Sequence, residues 1–444
     1  MKRKSSFAVA AAALLLAADA PRPSNLPEPI QAHDYIAFDE RRAKLGRLLF
    51  YDKVLSGNRN IACGTCHDHD HGTSDGLSLG AGEGAAGLGP SRRFGAGRDA
   101  PLKRVPRNSP ALFNLGHRSV RTLFADGRVG FDDAYGNGFS TPAEEWLPKG
   151  LTNLAAVQAL FPMTSATEMG GQPHENDVAA ARRERIDHVW PVVARRVAAI
   201  PEYVEMFKDA YPHVRGPGDV TMPRIAAAIG DFVISEWRSH DAPFDRWLAG
   251  EEAALNERQR RGAALFYGHA NCSSCHSGPL LTDGGFHALA LPPFGPGRTR
   301  AFDPYARDVG RMAETDRLED AYRFRTPSLR NVALTAPYGH NGAYATLEGI
   351  VRHHLDPLGS LDAWDRRQVL LPDHEPFRAA DFAVWDDARE MARLRSRVDI
   401  EAIDLTDDEL ADLVAFLHSL TGITAATGRL GKPQAVPSGL SVDR

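Results

Sequence analysis

The sequence predicts a mainly α-helical protein made of two similar halves. A C-x-x-C-H motif occurs at residues 63–67 and again at 272–276, and each copy follows a stretch with apolar residues at helical spacing, at 41–51 and 256–266. Further stretches with this spacing, at 189–199, 201–210 and 222–237, lie between the two motifs. We therefore expect helices to supply most of the regular structure, with the same layout before each motif.

The N-terminus has the pattern of a secretory signal peptide over residues 1–20. Lys2, Arg3 and Lys4 precede an apolar stretch at 7–18 that is too short to span a bilayer, and small residues follow before Pro21. We therefore expect a periplasmic protein with no membrane span after signal removal. Lys and Arg number 52 against 57 Asp and Glu, a near balance that argues against nucleic acid as a partner.

Each C-x-x-C-H motif carries the groups that a covalent haem c requires. Two thiols take up the vinyl groups along one edge of the porphyrin, and the histidine that follows at once ligates the iron. The alternative, two half-sites that pool four cysteines on one zinc ion, leaves the adjacent histidines without a role. We predict two cytochrome c-like domains, at residues 21–245 and 246–444, with one haem c each. The attachment residues are Cys63, Cys66, His67, Cys272, Cys275 and His276.

The other elements follow in order along the chain. The Gly-rich segment 72–97 predicts an irregular loop, and residues 151–161 predict a helix. A helix is expected at 347–355, and a closing helix at 404–420 has Asp407, Asp408 and Glu409 in its first turn, where they favour the helix dipole. Apolar stripes such as that of 222–237 are core positions, and we assign them no chemistry.

With these motifs in place, the chain resembles the bacterial diheme cytochrome c peroxidase/MauG superfamily over nearly all of its predicted mature length. The likeness includes residues 45–50 before the first motif and 262–266 before the second. It also includes the pairs 107–108 and 168–169 and the run 126–128. The most specific stretch runs from 326–331 through 336–338.

The resemblance implies a division of roles between the two haems. The haem on His67 is expected to react with hydrogen peroxide, and the haem on His276 to transfer electrons. The resemblance also implies a calcium ion between the domains, held by the side chain of Asn108 and the backbone carbonyls of Thr335 and Pro337. This ligand set is incomplete without waters. An ordinary turn cap is the alternative for Asn108.

His354 is the predicted sixth ligand of the second haem. The aligned position holds a Met in the family peroxidases and a Tyr in MauG. In the expected helix 347–355, His354 shares a face with Ile350 and Val351, whereas His353 points elsewhere. A buried core histidine is the alternative. We predict that His276 and His354 form a bis-His haem, with a lower potential than a His/Met haem.

The first haem is predicted to keep an open face. Many family peroxidases place a resting-state His ligand in a Ser-x-Gly-His segment, and here Ala81 stands at that position and cannot ligate. We expect His69 and His71 to be surface residues. Glu168 matches the distal Glu of the family, and burial should raise its pKa and suit it to carry a proton during peroxide cleavage. A carboxylate at a helix start is the alternative for Glu168.

Two other positions depart from the family. Ala125 stands where the family has a Trp between the haems, and Trp146 is a possible spatial substitute. Tyr135 aligns with a distal Gln that the family often supplies.

Three classes of function compete at this stage. The first is a peroxidase fed by a small cytochrome c or cupredoxin. The second is a MauG-like enzyme that uses a bis-ferryl state to oxidise Trp or Tyr side chains of a partner protein. The third is a non-catalytic diheme electron carrier, which would not need an open iron beside Glu168. Either a monomer or a homodimer is compatible with the sequence.

Overall fold

The computed structural model describes residues 22–96, 100–172, 174–298 and 307–444, so the predicted signal peptide lies outside the described residues. The described α-helices are α1 (Glu40–Tyr51), α2 (Cys63–Cys66), α3 (Leu154–Gln158), α4 (Asp177–Glu184), α5 (Val189–Ala198), α6 (Pro201–Ala210), α7 (Met222–Glu236), α8 (Pro243–Leu248), α9 (Glu257–Tyr267), α10 (Met312–Thr315), α11 (Leu347–Leu355), α12 (Pro357–Asp362), α13 (Arg378–Asp381), α14 (Ala388–Arg395) and α15 (Asp407–His418). The described strands are β1 (Ala85–Ala86), β2 (Arg93–Phe94), β3 (Thr122–Leu123), β4 (Val129–Phe131), β5 (Phe139–Ser140), β6 (Phe286–His287) and β7 (Phe324–Arg325).

Buried apolar side chains form two large clusters, one for each half of the chain. The first cluster draws on residues 45–237, together with Ala425 and Val436 from the C-terminal segment. The second draws on residues 244–420 and includes Leu79 from the N-terminal half. The change from one cluster to the other falls between residues 237 and 244, next to the boundary expected at 245.

Most predicted helices are confirmed. Those expected at 41–51, 189–199, 201–210, 222–237, 256–266 and 347–355 correspond to α1, α5, α6, α7, α9 and α11. The helix expected at 404–420 is α15, which starts at Asp407 because Thr406 and Glu409 form a capping box. The helix expected at 151–161 is only α3, whose start is capped by the side chain of Asn153 and which ends at Gln158, ahead of a separate short turn at Pro162–Thr164.

Two glycines bring together the helix pairs that lead into the C-x-x-C-H motifs. A Cβ on Gly46 of α1 would lie 1.9 Å from the carbonyl oxygen of Ala228 on α7. A Cβ on Gly262 of α9 would lie 2.0 Å from the carbonyl oxygen of Asp412 on α15. No side chain fits at either crossing. The two halves therefore use the same close packing at the helix before each motif.

The sheets are small and antiparallel. Strand β1 pairs with β2, strands β3, β4 and β5 form one sheet in that order, and β6 pairs with β7. The β1–β2 pair lies inside the segment 72–97, which the sequence predicts to be an irregular loop. No helix within the described ranges is long and apolar enough to cross a membrane.

The C-terminal segment returns to the first motif. Lys432 pairs with Asp68 at 2.6 Å, directly after His67. The hydroxyl of Thr65, inside the motif, donates to Asp443 at 2.6 Å. The end of the chain thus holds the turn that carries the first pair of cysteines.

Candidate haem sites

The two C-x-x-C-H motifs fold into turns that share the hydrogen bonds of their histidines, although Cys63–Cys66 is an α-helical turn and Cys272–Ser274 a tighter 3₁₀ turn. In each, the backbone N–H of the histidine donates to the carbonyl of the first cysteine at 2.9 Å. Nδ1 of His67 lies 2.9 Å from the carbonyl oxygen of Thr73, and Nδ1 of His276 lies 3.1 Å from that of Leu281. Because a carbonyl only accepts, each Nδ1 carries the proton, and each Nε2 is left with its lone pair free for a metal.

Burial keeps both imidazoles neutral. It lowers the pKa of His67, and together with the neighbouring His354 it lowers the pKa of His276 to about 4. A neutral imidazole is the form that ligates a metal. None of the four cysteines forms a disulfide. The side chains present at both motifs therefore fit a covalently attached haem.

His354 lies opposite His276 with its own Nδ1 engaged. That Nδ1 is 2.8 Å from the carbonyl oxygen of Ile350, and the ring centroids of His276 and His354 are 6.2 Å apart at an interplanar angle of 52°. With metal–nitrogen bonds of about 2 Å and centroids roughly 1.2 Å beyond each nitrogen, two imidazoles on opposite faces of one iron have centroids about 6 Å apart. The observed separation fits a metal ion between the two rings.

The neighbouring His353 has both ring nitrogens occupied. Its Nε2 is 2.7 Å from the carbonyl oxygen of Leu289, and its Nδ1 is 2.7 Å from the hydroxyl of Tyr344. Nε2 therefore donates to the carbonyl, and Nδ1 accepts from the tyrosine. Burial, with a smaller effect of His354, lowers the pKa of His353 to about 3. His353 is a satisfied core histidine, whereas His354 is not.

Glu168 sits in a single π-helical turn, Ala166–Gly170. The N–H of Glu83 donates to the carbonyl of Thr167 at 3.0 Å, and the N–H of Gly57 donates to the carbonyl of Met169 at 2.7 Å, so two other segments hold the turn. Burial raises the pKa of Glu168, and the nearby Arg128 and Arg298 counter part of this shift. Burial is the main cause of the raised pKa of the Cys66 thiol, and the charge of Glu168 adds a small increase.

The segment that carries Ala81 is held against the C-terminal half. The N–H of Ser78 donates to the carbonyl of Leu370, and the Ser78 hydroxyl accepts from the N–H of Leu370, both at 2.9 Å. Further along, Arg104 and Asp381 form a buried two-point ion pair at 2.7 and 3.0 Å. These contacts link the Gly-rich loop to residues almost three hundred positions later.

Asp126 lies at the centre of a buried arginine cluster between the halves. Its carboxylate is 2.7 Å from Arg107, 3.0 Å from Arg128 and 3.0 Å from Arg298. Despite complete burial, these three cations hold the pKa of Asp126 well below its usual range. Arg107 also forms a two-point pair with Asp308, with both distances at 2.7 Å.

Arg325 adds a cation that has no carboxylate partner among the described residues. Its Nε donates to the carbonyl of Phe124 at 3.1 Å, and burial lowers its pKa. Its backbone N–H donates to the carbonyl of Ala125 at 2.7 Å, so the position where the family has a Trp is joined to β7 by the backbone. A partly buried guanidinium that is bonded only to neutral carbonyls suits an anionic group such as a haem propionate.

The residues expected to bind calcium come from two segments that are distant in sequence and joined by a backbone hydrogen bond. The backbone N–H of Asn108 donates to the carbonyl of His340 at 3.0 Å, which brings it to the segment that follows Thr335 and Pro337. The Asn108 amide nitrogen donates to the carbonyl of Leu77 at 2.6 Å, so the side-chain oxygen is the atom of this amide that could bind a cation.

One expectation from the sequence is wrong, and two possible roles considered for other residues are not supported. His69 is not a surface residue but is buried against Tyr51 and Glu236, whereas His71 is partly exposed. Trp146 is 42% exposed with Arg185 over its ring, so it is a surface residue and not a buried substitute for the family Trp. Tyr135 is 43% exposed and cannot act as a buried distal residue.

Sequence reasoning also missed residues whose partners are distant along the chain. Arg298 and Arg325 lie far from Asp126 and Phe124 in sequence, and no local pattern links them. The pairing of Arg107 with Asp308 likewise joins positions about two hundred residues apart.

The fold and the two motifs define a helical c-type haem protein with two attachment sites. Residues 40–253 match the model of a protein family described as "Di-haem cytochrome c peroxidase". The chain is 30% identical to cytochrome c551 peroxidase of Pseudomonas aeruginosa, with 73% of this chain and 75% of that protein covered. It is 27% identical to methylamine utilization protein MauG of Methylorubrum extorquens, with 91% and 84% covered.

Among solved structures, the chain is similar to a MauG-like protein associated with microbial copper homeostasis. The TM-score is 0.58 at 27% identity, with 91% of this chain and 96% of that chain covered. The chain belongs to the di-haem cytochrome c peroxidase/MauG superfamily. It is an oxidoreductase of that superfamily, whose members carry two haem c groups.

Proposed function

We propose that the protein is a periplasmic peroxidase that reacts with hydrogen peroxide at the haem on His67. Electrons reach that site through the haem held by His276 and His354, from a small cytochrome c or cupredoxin. The signal pattern at 1–20 supports export, and relatives named cytochrome c peroxidase support the reaction.

The observation that carries this proposal is the difference between the two sites. The second has imidazoles 6.2 Å apart on facing elements, a spacing that suits one iron between them. At the first, Ala81 stands where a resting-state ligand would be, and the segment around Ser78 is tied to Leu370. An iron ligated by His67 would then keep one face for peroxide without a loop movement.

The residues around the first site supply the proton chemistry. When bound, the haem would supply the redox centre at which peroxide is reduced. Glu168 accepts the proton from the peroxide oxygen nearer the haem and returns it to the far oxygen, which leaves as water. Burial raises the pKa of Glu168, which makes the protonated carboxyl easier to form than that of a solvated glutamate. Arg128 and Arg298 limit this shift and keep the carboxylate form accessible.

We further propose a calcium ion bound by Asn108 together with the carbonyls of Thr335 and Pro337, with waters completing the set. The hydrogen bond from Asn108 to the carbonyl of His340 supports this assignment because it joins the two segments that supply the ligands. Such an ion would stabilise the contact between the halves close to Asp126 and its arginines.

A second candidate function is the oxidation of Trp or Tyr side chains in a partner protein, as the similarity to MauG suggests. The facing histidines at the second site favour it, because imidazole in place of Met lowers the iron potential and stabilises an oxidised haem. In that case two oxidising equivalents would persist in the protein until the partner binds.

Mixing the purified holoprotein with hydrogen peroxide in a stopped-flow spectrometer tests the proposal. Rapid turnover with a reduced small cytochrome supports the peroxidase, and a long-lived doubly oxidised spectrum supports the MauG-like function. No spectral change would leave only an electron carrier and would refute the proposal. The variant Glu168→Gln should react about 10²–10⁴-fold more slowly, and an unchanged rate would remove Glu168 from the reaction.

A further inference from the structure

A buried chain of polar side chains starts at the first haem motif and has no part in the chemistry described above. The hydroxyl of Tyr51 lies 2.5 Å from Nδ1 of His69, and Nε2 of His69 lies 3.3 Å from Oε1 of Glu236. Tyr51, His69 and Glu236 are only 3, 7 and 3% exposed. These residues come from α1, from the turn after the motif and from the end of α7.

Tyr51 packs directly on the backbone that carries the haem tethers. A Cβ on Gly64 would lie 2.3 Å from both Cδ1 and Cε1 of the Tyr51 ring. Gly64 is the residue after Cys63 in the motif, so only a glycine there allows this contact. The phenol ring is therefore the aromatic group in contact with the peptide that joins the first pair of cysteines.

The hydrogen bonds define a direction for the proton. Glu236 accepts from the backbone N–H groups of Leu430 and Gly431 at 2.8 and 2.7 Å, and these bonds fix its carboxyl group beside His69. His69 then donates from Nε2 to Glu236, and its Nδ1 accepts from the Tyr51 hydroxyl. Burial raises the pKa of Tyr51, so the phenol stays protonated and needs a base nearby if it is oxidised.

We propose that Tyr51 is a redox-active tyrosine that stores one oxidising equivalent after the first haem centre has reacted with peroxide, an inference that rests on the proposed function. Reduction of peroxide to water takes two electrons from the protein. The haem centre supplies one, and Tyr51 supplies the other. The phenolic proton moves along its hydrogen bond to Nδ1 of His69. The products are a neutral tyrosyl radical and an imidazolium beside Glu236.

The same step runs in reverse when the external donor returns an electron. Tyr51 is reduced, and the proton moves back from His69 to the phenolic oxygen. Tyr51 thus competes with the haem of His276 and His354 for the second oxidising equivalent. Glu236 acts as a positioning residue, because its negative charge stabilises the imidazolium formed at His69.

Two other buried tyrosines lack one part of this arrangement. Tyr203 donates to the Asp52 carboxylate at 2.7 Å, with no histidine between them. Tyr344 donates to His353, but the far nitrogen of that ring meets the neutral carbonyl of Leu289 and not a carboxylate. Tyr203 is the better control, since it is fully buried in the same apolar cluster as Tyr51.

Freeze-quench EPR of the diferric holoprotein after mixing with hydrogen peroxide tests the inference. We expect an organic radical whose hyperfine structure narrows when the protein is produced with ring-deuterated tyrosine. This labelling leaves the fold unchanged. Tyr51→Phe should abolish the signal, and Tyr203→Phe should retain it. His69→Gln, which lacks a comparable base, should lower the radical yield while the haem spectrum still changes.

The outcomes separate this inference from the proposed function. A haem spectrum that changes with peroxide while no tyrosyl signal forms would overturn the inference alone. So would a radical that is insensitive to tyrosine deuteration or that persists in Tyr51→Phe. A haem spectrum that does not respond to peroxide would refute the proposed function, and the inference would fail with it for lack of an oxidant.

Discussion

Replacement of Asp126 by Asn tests the arginine cluster between the halves. Asn keeps the size of the side chain and removes its charge. Arg107 would keep Asp308 as a partner and Arg298 would keep Glu314 at 3.2 Å. Arg128 would keep its stacking on the Phe124 ring, 3.4 Å from the centroid, and the weaker attraction of Glu168. It would lose the carboxylate with which it forms its ion pair in the described part of the chain.

Loss of one partner from a buried ion pair costs about 3–5 kcal/mol. We expect the lower end, about 3 kcal/mol, because two of the three arginines retain a second carboxylate. For a domain of ordinary size this corresponds to a fall in Tm of roughly 6–12 °C. Since Arg128 and Arg298 also lower the pKa of Glu168, loss of the Asp126 charge should lower that pKa further.

Thermal unfolding of the holoprotein, followed by circular dichroism, measures the effect. Asp373→Asn is the matched control, because Asp373 pairs with Arg378 at 2.6 Å on the surface and should show little or no shift. The folded pKa of Asp126 is depressed, so its stabilisation is complete above the unfolded pKa of about 4 and is lost as pH falls through the folded pKa. Equal Tm values for Asp126→Asn and the control at neutral pH would refute the assigned role.

Three other outcomes are expected. Gly262→Ala should destabilise the protein by about 1–3 kcal/mol or more in urea unfolding, because its Cβ would lie 2.0 Å from the Asp412 carbonyl oxygen. Gly216→Ala is the control and should be nearly neutral, since a Cβ there would have nothing within 4 Å. The rate of reaction with peroxide should fall as pH drops below the raised pKa of Glu168, since only the carboxylate accepts a proton. If the Glu168→Gln variant shows the same fall in rate at low pH, another group causes it. Removal of divalent cations with EGTA should slow peroxide reduction. The Asn108→Ala variant should then need a higher calcium concentration than the wild type to recover its rate of peroxide reduction. If both proteins need the same calcium concentration, Asn108 is not a calcium ligand.

Local patterns predicted much of the fold. The helical spacing of 222–237 and the acidic residues Asp407, Asp408 and Glu409 are properties of neighbouring residues, and α7 and α15 form accordingly. Short helices such as α4, α8 and α14 were not predicted. They are shorter than the windows in which a repeat of three to four residues can be recognised.

The candidate site shows the same limit at longer range. Adjacent residues define each C-x-x-C-H motif, and a helical face sufficed to select His354 over His353 as the candidate ligand. His69 was misassigned because Glu236 lies 167 residues away and because Tyr51 meets it only after α1 packs beside the motif. The partners of Asp126 likewise come from both halves, so only the folded chain brings them together.

EPR of the resting diferric holoprotein tests the central claim most directly. If the His67 haem has an open face and the other iron is held by His276 and His354, the spectrum will contain one high-spin ferric signal and one low-spin signal typical of two imidazole ligands. A spectrum with low-spin signals alone, or a low-spin haem without bis-imidazole character, would contradict the account.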